Sequence, residues 1–257
     1  MDIGMMNNPA HDPAGEIHWA AAHGFDFIDF TLEHPRAGAD VLDVEAVQTA
    51  LDCSGLGIVG HTAPYLPFAN AIGRLRAAAV AEVAAQFEMF QALGVTLVNV
   101  HPDGGKGNAG QEQSLARNAE SFATLAALAE PFGIRVMIEN LVGIFEPAAH
   151  LRTMLDADPR LGWHYDIGHA QVRGNRSHEY LQVLGDRLAH VHLSDNNGRS
   201  DDHLPLGVGR LDWKRLIRGL KRTGYDGRIT LEVFADDREY LLASQRKLRA
   251  AWDAAPV

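Results

Sequence analysis

Along the chain, short apolar runs of strand character alternate with longer alanine- and leucine-rich stretches whose apolar residues recur at helical spacing. The runs are Ile3–Met6, Phe25–Thr31, Gly57–His61, Thr96–His101, Arg135–Asn140, Leu161–Ile167, Leu188–Leu193 and Arg228–Val233, and the stretches between them include Arg74–Leu93 and Gln113–Leu128. Strand then helix, repeated to the end of the chain, predicts an α/β protein. In His23-Gly24-Phe25, Leu93-Gly94-Val95, Phe132-Gly133-Ile134 and Thr223-Gly224-Tyr225, a glycine stands where helix gives way to strand. It supplies the left-handed residue that ends a helix, so these connections are expected to be tight turns. The strand-to-helix connections, 62–73, 102–112, 168–178 and 194–211, are the long ones. Such units over about 250 residues match a closed (β/α)8 TIM barrel, whose working face is built from the loops after the strands. A doubly wound open sheet competes, but no Gly-x-Gly-x-x-Gly follows the first run. No linker, low-complexity tract or charge block marks a boundary, so residues 1–257 are expected to form a single barrel domain.

Composition narrows the partners. The chain has 257 residues, 46% of them hydrophobic and 22% charged, enough for an ample core. No apolar run approaches a membrane span, so no membrane partner is expected. The chain enters Ile3-Gly4-Met5-Met6 at once, leaving no room for a presequence, which makes the cytoplasm the expected compartment. Cys53 is the sole cysteine, which excludes an intramolecular disulfide and argues against a thiolate metal cage; a helix end is its expected place, as a small apolar residue. With 33 acidic and 23 basic side chains the net charge is -10, the wrong sign for neutralising many phosphates, and a nucleic-acid partner is disfavoured. The oligomeric state is not legible, and a homo-oligomer stays open.

Candidate chemistry gathers at the strand ends. Leu188–Leu193 alternates, so His190 and His192 share a face; the long loop after it carries Asp195, Asp201 and His203 and closes with Gly207 and Gly209 before a helix at Asp212. Strand three ends at His61, four at His101, five at Glu139, six at Asp166 with His169 just beyond, seven at His192 and eight at Glu232. Singly, each has a structural explanation, and a lone strand-end histidine is more often a hydrogen-bonded residue than a ligand. Together they converge on one mouth, where uncompensated carboxylates would repel one another and a bound cation is the simplest relief. Parity puts Met137 with Glu139, His164 with Asp166, His190 with His192 and Thr230 with Glu232; His164 and His190 then lie one layer deeper, as structural partners or in a direct role. Asp29 is placed to face the interior, with its role open. His18, His23, His34, His150 and His178 fall on helices or loops and carry no assigned function. Glu139, Asp166, His192 and Glu232 make a mostly hard donor set suited to one Mn²⁺, Mg²⁺, Co²⁺ or Zn²⁺. Asp103-Gly104-Gly105-Lys106-Gly107-Asn108 lacks the Gly-Lys-Ser/Thr ending of a phosphate cradle and reads as a mobile lid.

At these residues the chain resembles the xylose isomerase-like TIM-barrel superfamily, which holds sugar isomerases and epimerases, inositol-catabolic enzymes and the endonuclease IV class. The resemblance spans nearly the whole chain and is carried by Ile138-Glu139-Asn140, Asp166-Ile-Gly-His169, His192-Leu-Ser-Asp195, Asp201-Asp-His203-Leu-Pro-Leu-Gly-Val-Gly209 and Leu231-Glu232. It implies a mononuclear site on Glu139, Asp166, His192 and Glu232, with His169 touching substrate. The endonuclease IV pattern can also be laid on the sequence, implying up to three Zn²⁺: His61, His101 and Glu139 for one, Glu139, Asp166, His192 and Glu232 for another, and His169, Asp201 and His203 for the third. The Leu204-Pro205-Leu206-Gly207 loop is similar to the broad group of sugar phosphate isomerases/epimerases, and with the acidic charge this ranks sugar chemistry ahead of abasic-site DNA cleavage. The expectation is isomerisation or epimerisation of a small sugar or polyol through an enediolate. Glu139 and Glu232 would move the proton, and elimination from a keto sugar or inosose would be the lyase variant. His169 would orient a substrate oxygen. Arg199, with Arg173, Arg176 and Lys106, would bind a phosphate or carboxylate, although ordinary solvated charge explains each of the four singly. A non-catalytic sugar-binding barrel is the third class.

Overall fold

The structure is a computed structural model that describes residues 1–105 and 110–256. Lys106 and the Gly107-Asn108 part of the expected lid lie outside the described residues. The strands are β1 (Asp2–Met6), β2 (Phe27–Leu32), β3 (Gly57–Thr62), β4 (Leu97–Val100), β5 (Arg135–Glu139), β6 (Gly162–Asp166), β7 (Leu188–Leu193) and β8 (Arg228–Leu231). They are parallel and close in chain order, β8 pairing back onto β1, so the expected (β/α)8 barrel is what forms. The helices between and after them are α1 (Pro13–Ala22), α2 (Val44–Ser54), α3 (Gly73–Ala92), α4 (Gln111–Ala129), α5 (Ala148–Leu155), α6 (Ser177–Leu184), α7 (Trp213–Lys221) and α8 (Glu239–Ala254). Among the described residues no helix is long and apolar enough to cross a membrane.

Local chemistry sets the boundaries. Asp12, Asp43 and Asp212 cap α1, α2 and α7 by accepting from Gly15, Ala46 and Arg215 backbone N–H groups at 2.8, 3.0 and 3.1 Å, each contributing about 1 kcal/mol. Gly24, Gly94, Gly133 and Gly224 have φ of 74, 78, 68 and 84, the left-handed turns expected below the barrel. Two strands stop one residue short of the polar residues expected to end them, His101 and Glu232. β4 ends at Val100 because His101 precedes Pro102, which has no N–H for a ladder. β8 ends at Leu231 because the chain then bends outward, Glu232 N–H donating to Leu193 O (3.2 Å) and Phe234 N–H to His203 O (3.1 Å). Cys53 lies in the last turn of α2, as expected, but faces solvent.

The main apolar core lies between the barrel wall and the helices, with Phe30, Phe87, Phe90, Phe122, Trp163 and Leu193 buried there. Inside the barrel the floor is a separate apolar plug of Phe27, Val59 and Met137. Above that floor the inward positions turn polar: Asp29, His61, Asn99, Glu139, His164, Asp166, His190, His192 and Thr230 are all buried. Burying so many polar groups is costly unless they are paired or hold an ion.

Candidate metal centre

Glu139 ends β5, Asp166 ends β6, His192 is the penultimate residue of β7, and Glu232 follows β8. Each can offer one donor atom such that all lie within 4.8 Å of one another, and all four residues are buried. Glu139 Oε2 lies 2.7 Å from His101 Nε2 and accepts from Asn99 Nδ2 at 2.6 Å, while its Oε1 is 3.2 Å from His169 Nδ1. Glu232 Oε2 lies 2.9 Å from His192 Nδ1 and 3.7 Å from His203 Nδ1. His192 is held from beneath: its Nε2 is 2.8 Å from Asp29 Oδ2, an oxygen that also accepts from Thr230 Oγ1 at 2.9 Å and lies 3.3 Å from His190 Nε2.

Two further close-packed groups flank this set. His61, His101 and Glu139 form one, with His61 Nε2 and His101 Nε2 3.3 Å apart; His169, Asp201 and His203 form the other, both imidazoles placing Nε2 2.9 Å from Asp201 Oδ2. The second depends on the loop after β7. Asp195 braces it from within, accepting from the N–H groups of Gly207 (2.8 Å), Asn196 (2.9 Å) and Leu211 (3.1 Å), so this buried aspartate shapes the loop and is not a member of the donor groups. Gly209 is required there, since a Cβ would come 2.3 Å from Asp195 Oδ1 and 2.4 Å from Asn196 O. His203 has φ 45, a left-handed conformation costly for a side-chain-bearing residue. An antiparallel bridge between Asp195 and Leu204 holds it in place.

The electrostatics are set by burial and by carboxylates facing imidazoles. Burial pushes the Asp166 carboxyl up to about 8, helped by the charges of Glu232 and Glu139 and opposed by His169. Burial works against the His192 cation, yet Glu232 and Asp29 hold its pKa well above the usual imidazole range. Burial also raises Glu139, but His101 and His164 outweigh it and keep that carboxylate ionised; Glu232 is lowered similarly by His192 and His203. Burial and the surrounding charges thus favour a proton on both Asp166 and His192 among these oxygen donors, the charge a cation would otherwise supply. Asp166 Oδ2 is buried with no hydrogen-bond partner among the described residues. Three carboxylates, one imidazole and a buried orphan oxygen fit a hard divalent ion.

Every residue expected at the mouth from strands three to eight is therefore brought together, and so are Asp201 and His203. Arg199 is not: it is exposed on the outer part of the same loop and shares no ion pair or hydrogen bond with the cluster among the described residues. Arg173 is also exposed, and Arg176 is engaged by Glu146 and Glu179. Sequence reading passed over Asn99, which holds Glu139; its parity with His101 on β4 was the available signal.

A family model described as a xylose isomerase-like TIM barrel matches residues 17–253. Fructoselysine 3-epimerase of Escherichia coli O157:H7 is 31% identical over 124 residues, 46% of this chain and 45% of that protein. A probable endonuclease 4 of Citrifermentans bemidjiense is 26% identical over 229 residues, 77% of this chain and 81% of that protein. The chain spans less than half the length of the first curated relatives it matches. Among solved structures, a D-tagatose 3-epimerase-like protein superposes with a TM-score of 0.85 at 25% identity, covering 99% of this chain and 98% of that one.

Proposed function

The chain belongs to the xylose isomerase-like TIM barrel family, and from that premise we propose that it is a divalent-metal-dependent sugar epimerase or isomerase. The observation that carries this reading is the set Glu139, Asp166, His192 and Glu232, four buried residues whose donor atoms all lie within 4.8 Å of one another. The likeness to sugar 3-epimerases supports it. A divalent cation held there would act as a Lewis acid, easing the charge that builds on substrate oxygens when a proton leaves the neighbouring carbon.

The remaining work falls to side chains. Glu139 and Glu232 are kept ionised by their imidazole neighbours, so each is a competent base. They come from β5 and from the end of β8, on different sides of the mouth. Removal of a proton by one and delivery by the other to the opposite face inverts a carbon, while redelivery to an adjacent carbon isomerises the sugar. His169 is held between Asn140 O, 2.9 Å from its Nδ1, and Asp201 Oδ2, 2.9 Å from its Nε2, so a substrate hydroxyl oriented by Nε2 would take the place of Asp201. The test is a screen of ketoses, inososes and 3-keto sugars with added Mn²⁺, Co²⁺, Mg²⁺ or Zn²⁺, in deuterated water. Turnover with deuterium entering next to the carbonyl is expected; no turnover of any such sugar with metal bound would remove the reading.

A second reading has its own observation. His61–His101–Glu139 and His169–Asp201–His203 are also close enough to hold ions, the arrangement expected of an endonuclease IV-like phosphodiesterase with three Zn²⁺. The net charge of -10 ranks it second. Elemental analysis separates the two, about one ion per chain favouring sugar chemistry and about three favouring cleavage at abasic DNA.

A further inference from the structure

On the outer side of the loop after β7, α7 and α8 part to leave a cleft of about 450 Å³, within the range of about 300–1,000 Å³ that receives small molecules. Spacing explains what lines it. Lys214 and Arg218 stand four apart and so share one face of α7. Lys247, Ala251 and Ala254 share the facing side of α8, where methyl groups are too small to fill the gap. None of the lining residues belongs to the donor groups at the mouth.

The cleft has the opposite sign to the chain as a whole. The net charge is -10, yet six of the 23 basic residues fall within 210–222, against a single acid there, Asp212. Lys214, Arg218 and Lys247 line the cleft and, among the described residues, no acidic side chain does. Lys214 Nζ rests 5.6 Å from the centre of the Trp213 ring, and neither Lys214 nor Arg218 forms an ion pair among the described residues. Solvated surface charge would account for these cations. It does not account for Trp213, which is only 6% exposed and whose Nε1 has no hydrogen-bond partner among the described residues, although a buried indole N–H ordinarily finds one. That nitrogen is aimed into the cleft. At Gly207, the point where a side chain would begin lies 3.3 Å from Lys247 Nζ and 3.8 Å from Trp213 Nε1, so two donors flank a space that the glycine leaves open.

We infer that this cleft is a binding site for an organic phosphate, separate from the mouth. Its phosphoryl oxygens sit before Gly207 between Trp213 Nε1 and Lys247, facing Lys214 and Arg218, and its organic body lies along the alanines. A carboxylate brings two oxygens and one charge, too few for three cations and an indole N–H. A phosphate monoester brings three free oxygens and close to two charges. The occupant also braces a loop. Lys247 Nζ donates to Leu206 O, Leu206 N–H donates to Ser244 Oγ at 3.1 Å, and Gly207 N–H donates to Asp195 Oδ2 at 2.8 Å. These bonds hold the segment that carries Asp201 and His203, so a ligand seated against Gly207 supports it from outside as Asp195 does from within.

The experiment titrates the whole chain with phenyl phosphate, inorganic phosphate and benzoate by calorimetry. Phenyl phosphate is expected to bind roughly tenfold more tightly than benzoate, the scale of a hydrogen bond to a charged group, and more tightly than inorganic phosphate, which has no body to lay on the alanines. Lys214→Glu and Arg218→Glu, neither in the core, should each weaken it about tenfold or more. Arg215→Glu makes the same change in net charge on the same helix but outside the cleft, and should alter affinity less than twofold. Ligand at ten times Kd should slow amide exchange across 194–211 by about tenfold, because opening of the loop would release it. No binding at millimolar phenyl phosphate, equal affinity for benzoate, or an Arg215→Glu loss as large as that of Arg218→Glu overturns the site, the last by showing diffuse charge attraction only. Binding with unchanged exchange across 194–211 overturns the bracing. No sugar turnover is read, so either failure leaves the epimerase reading untouched.

Discussion

Asp29 and His192 are joined across the barrel, Asp29 Oδ2 lying 2.8 Å from His192 Nε2 although 163 residues separate them in sequence. A buried carboxylate there fixes one proton on Nε2, so Nδ1, the nitrogen facing Glu232 and Asp166, is the one that would exchange its proton for an ion. Asp29→Asn keeps the shape and removes the charge. Its metal affinity is expected to fall about ten- to a hundredfold, read by competition with a chromogenic chelator. Unchanged affinity in a folded Asp29→Asn protein would show that the aspartate does not orient the ligand.

Metal binding should expel protons. Asp166, pushed up to about 8 chiefly by burial, and His192, held above the imidazole range, are both protonated at neutral pH in the metal-free state. An ion needs both lone pairs, so affinity should climb as pH rises through about 8, where Asp166 gives up its proton. The sign for stability follows: both groups have folded pKa values above their unfolded ones. Their contribution is present at low pH and is lost as pH rises through the folded values. The melting temperature of metal-free protein should decline toward pH 8, and its gap to the loaded protein should widen. Calorimetry in buffers of different ionisation enthalpy counts the protons, and zero release at pH 6–7 would contradict the assignment.

Glu139→Gln and Glu232→Gln retain an oxygen donor and lose a base. Activity should drop on the order of a hundredfold or more, with metal content falling less. His192→Asn should reverse the order, losing metal first and regaining rate when metal is in excess. Retained activity in Glu139→Gln without solvent deuterium in the product would favour a hydride shift between carbons.

The loop after β7 offers a test away from the ion. Gly209→Ala drives a methyl against Asp195 Oδ1 and Asn196 O, and Asp195→Ala strands three backbone N–H groups. Each should destabilise by about 1–3 kcal/mol and loosen Asp201 and His203. Denaturant melts report the first effect. The second appears as loss of whatever metal the outer group binds, with the inner site retained.

The alternation of runs and the left-handed glycines made the barrel legible, because strand parity and helix ends are local properties of the chain. The inner donor set was legible for a related reason: in a closed parallel barrel, strand ends meet, so Glu139, Asp166 and His192 needed only the correct parity. What escaped was what depends on distant packing. Asn99 was hidden by an ordinary strand context, and Asp29 was located without its partner. The cleft between α7 and α8 could not be anticipated, since it brings Gly207, Trp213 and Lys247 together from a loop and two helices. Arg199, close to the candidate site in sequence, is exposed on the outer part of the loop after β7, a placement that sequence proximity does not convey.

The glycine-closed turns beneath the barrel have nothing within 4 Å of where a side chain would begin at Gly24, Gly94, Gly133 and Gly224. At these four turns a side chain would meet open space, whereas the donor groups crowd the opposite end of the barrel. Such a chain is modular in the evolutionary sense. Substitutions at these turns are expected to leave the strand-end carboxylates and imidazoles undisturbed, while changes in the upper loops reshape what surrounds them.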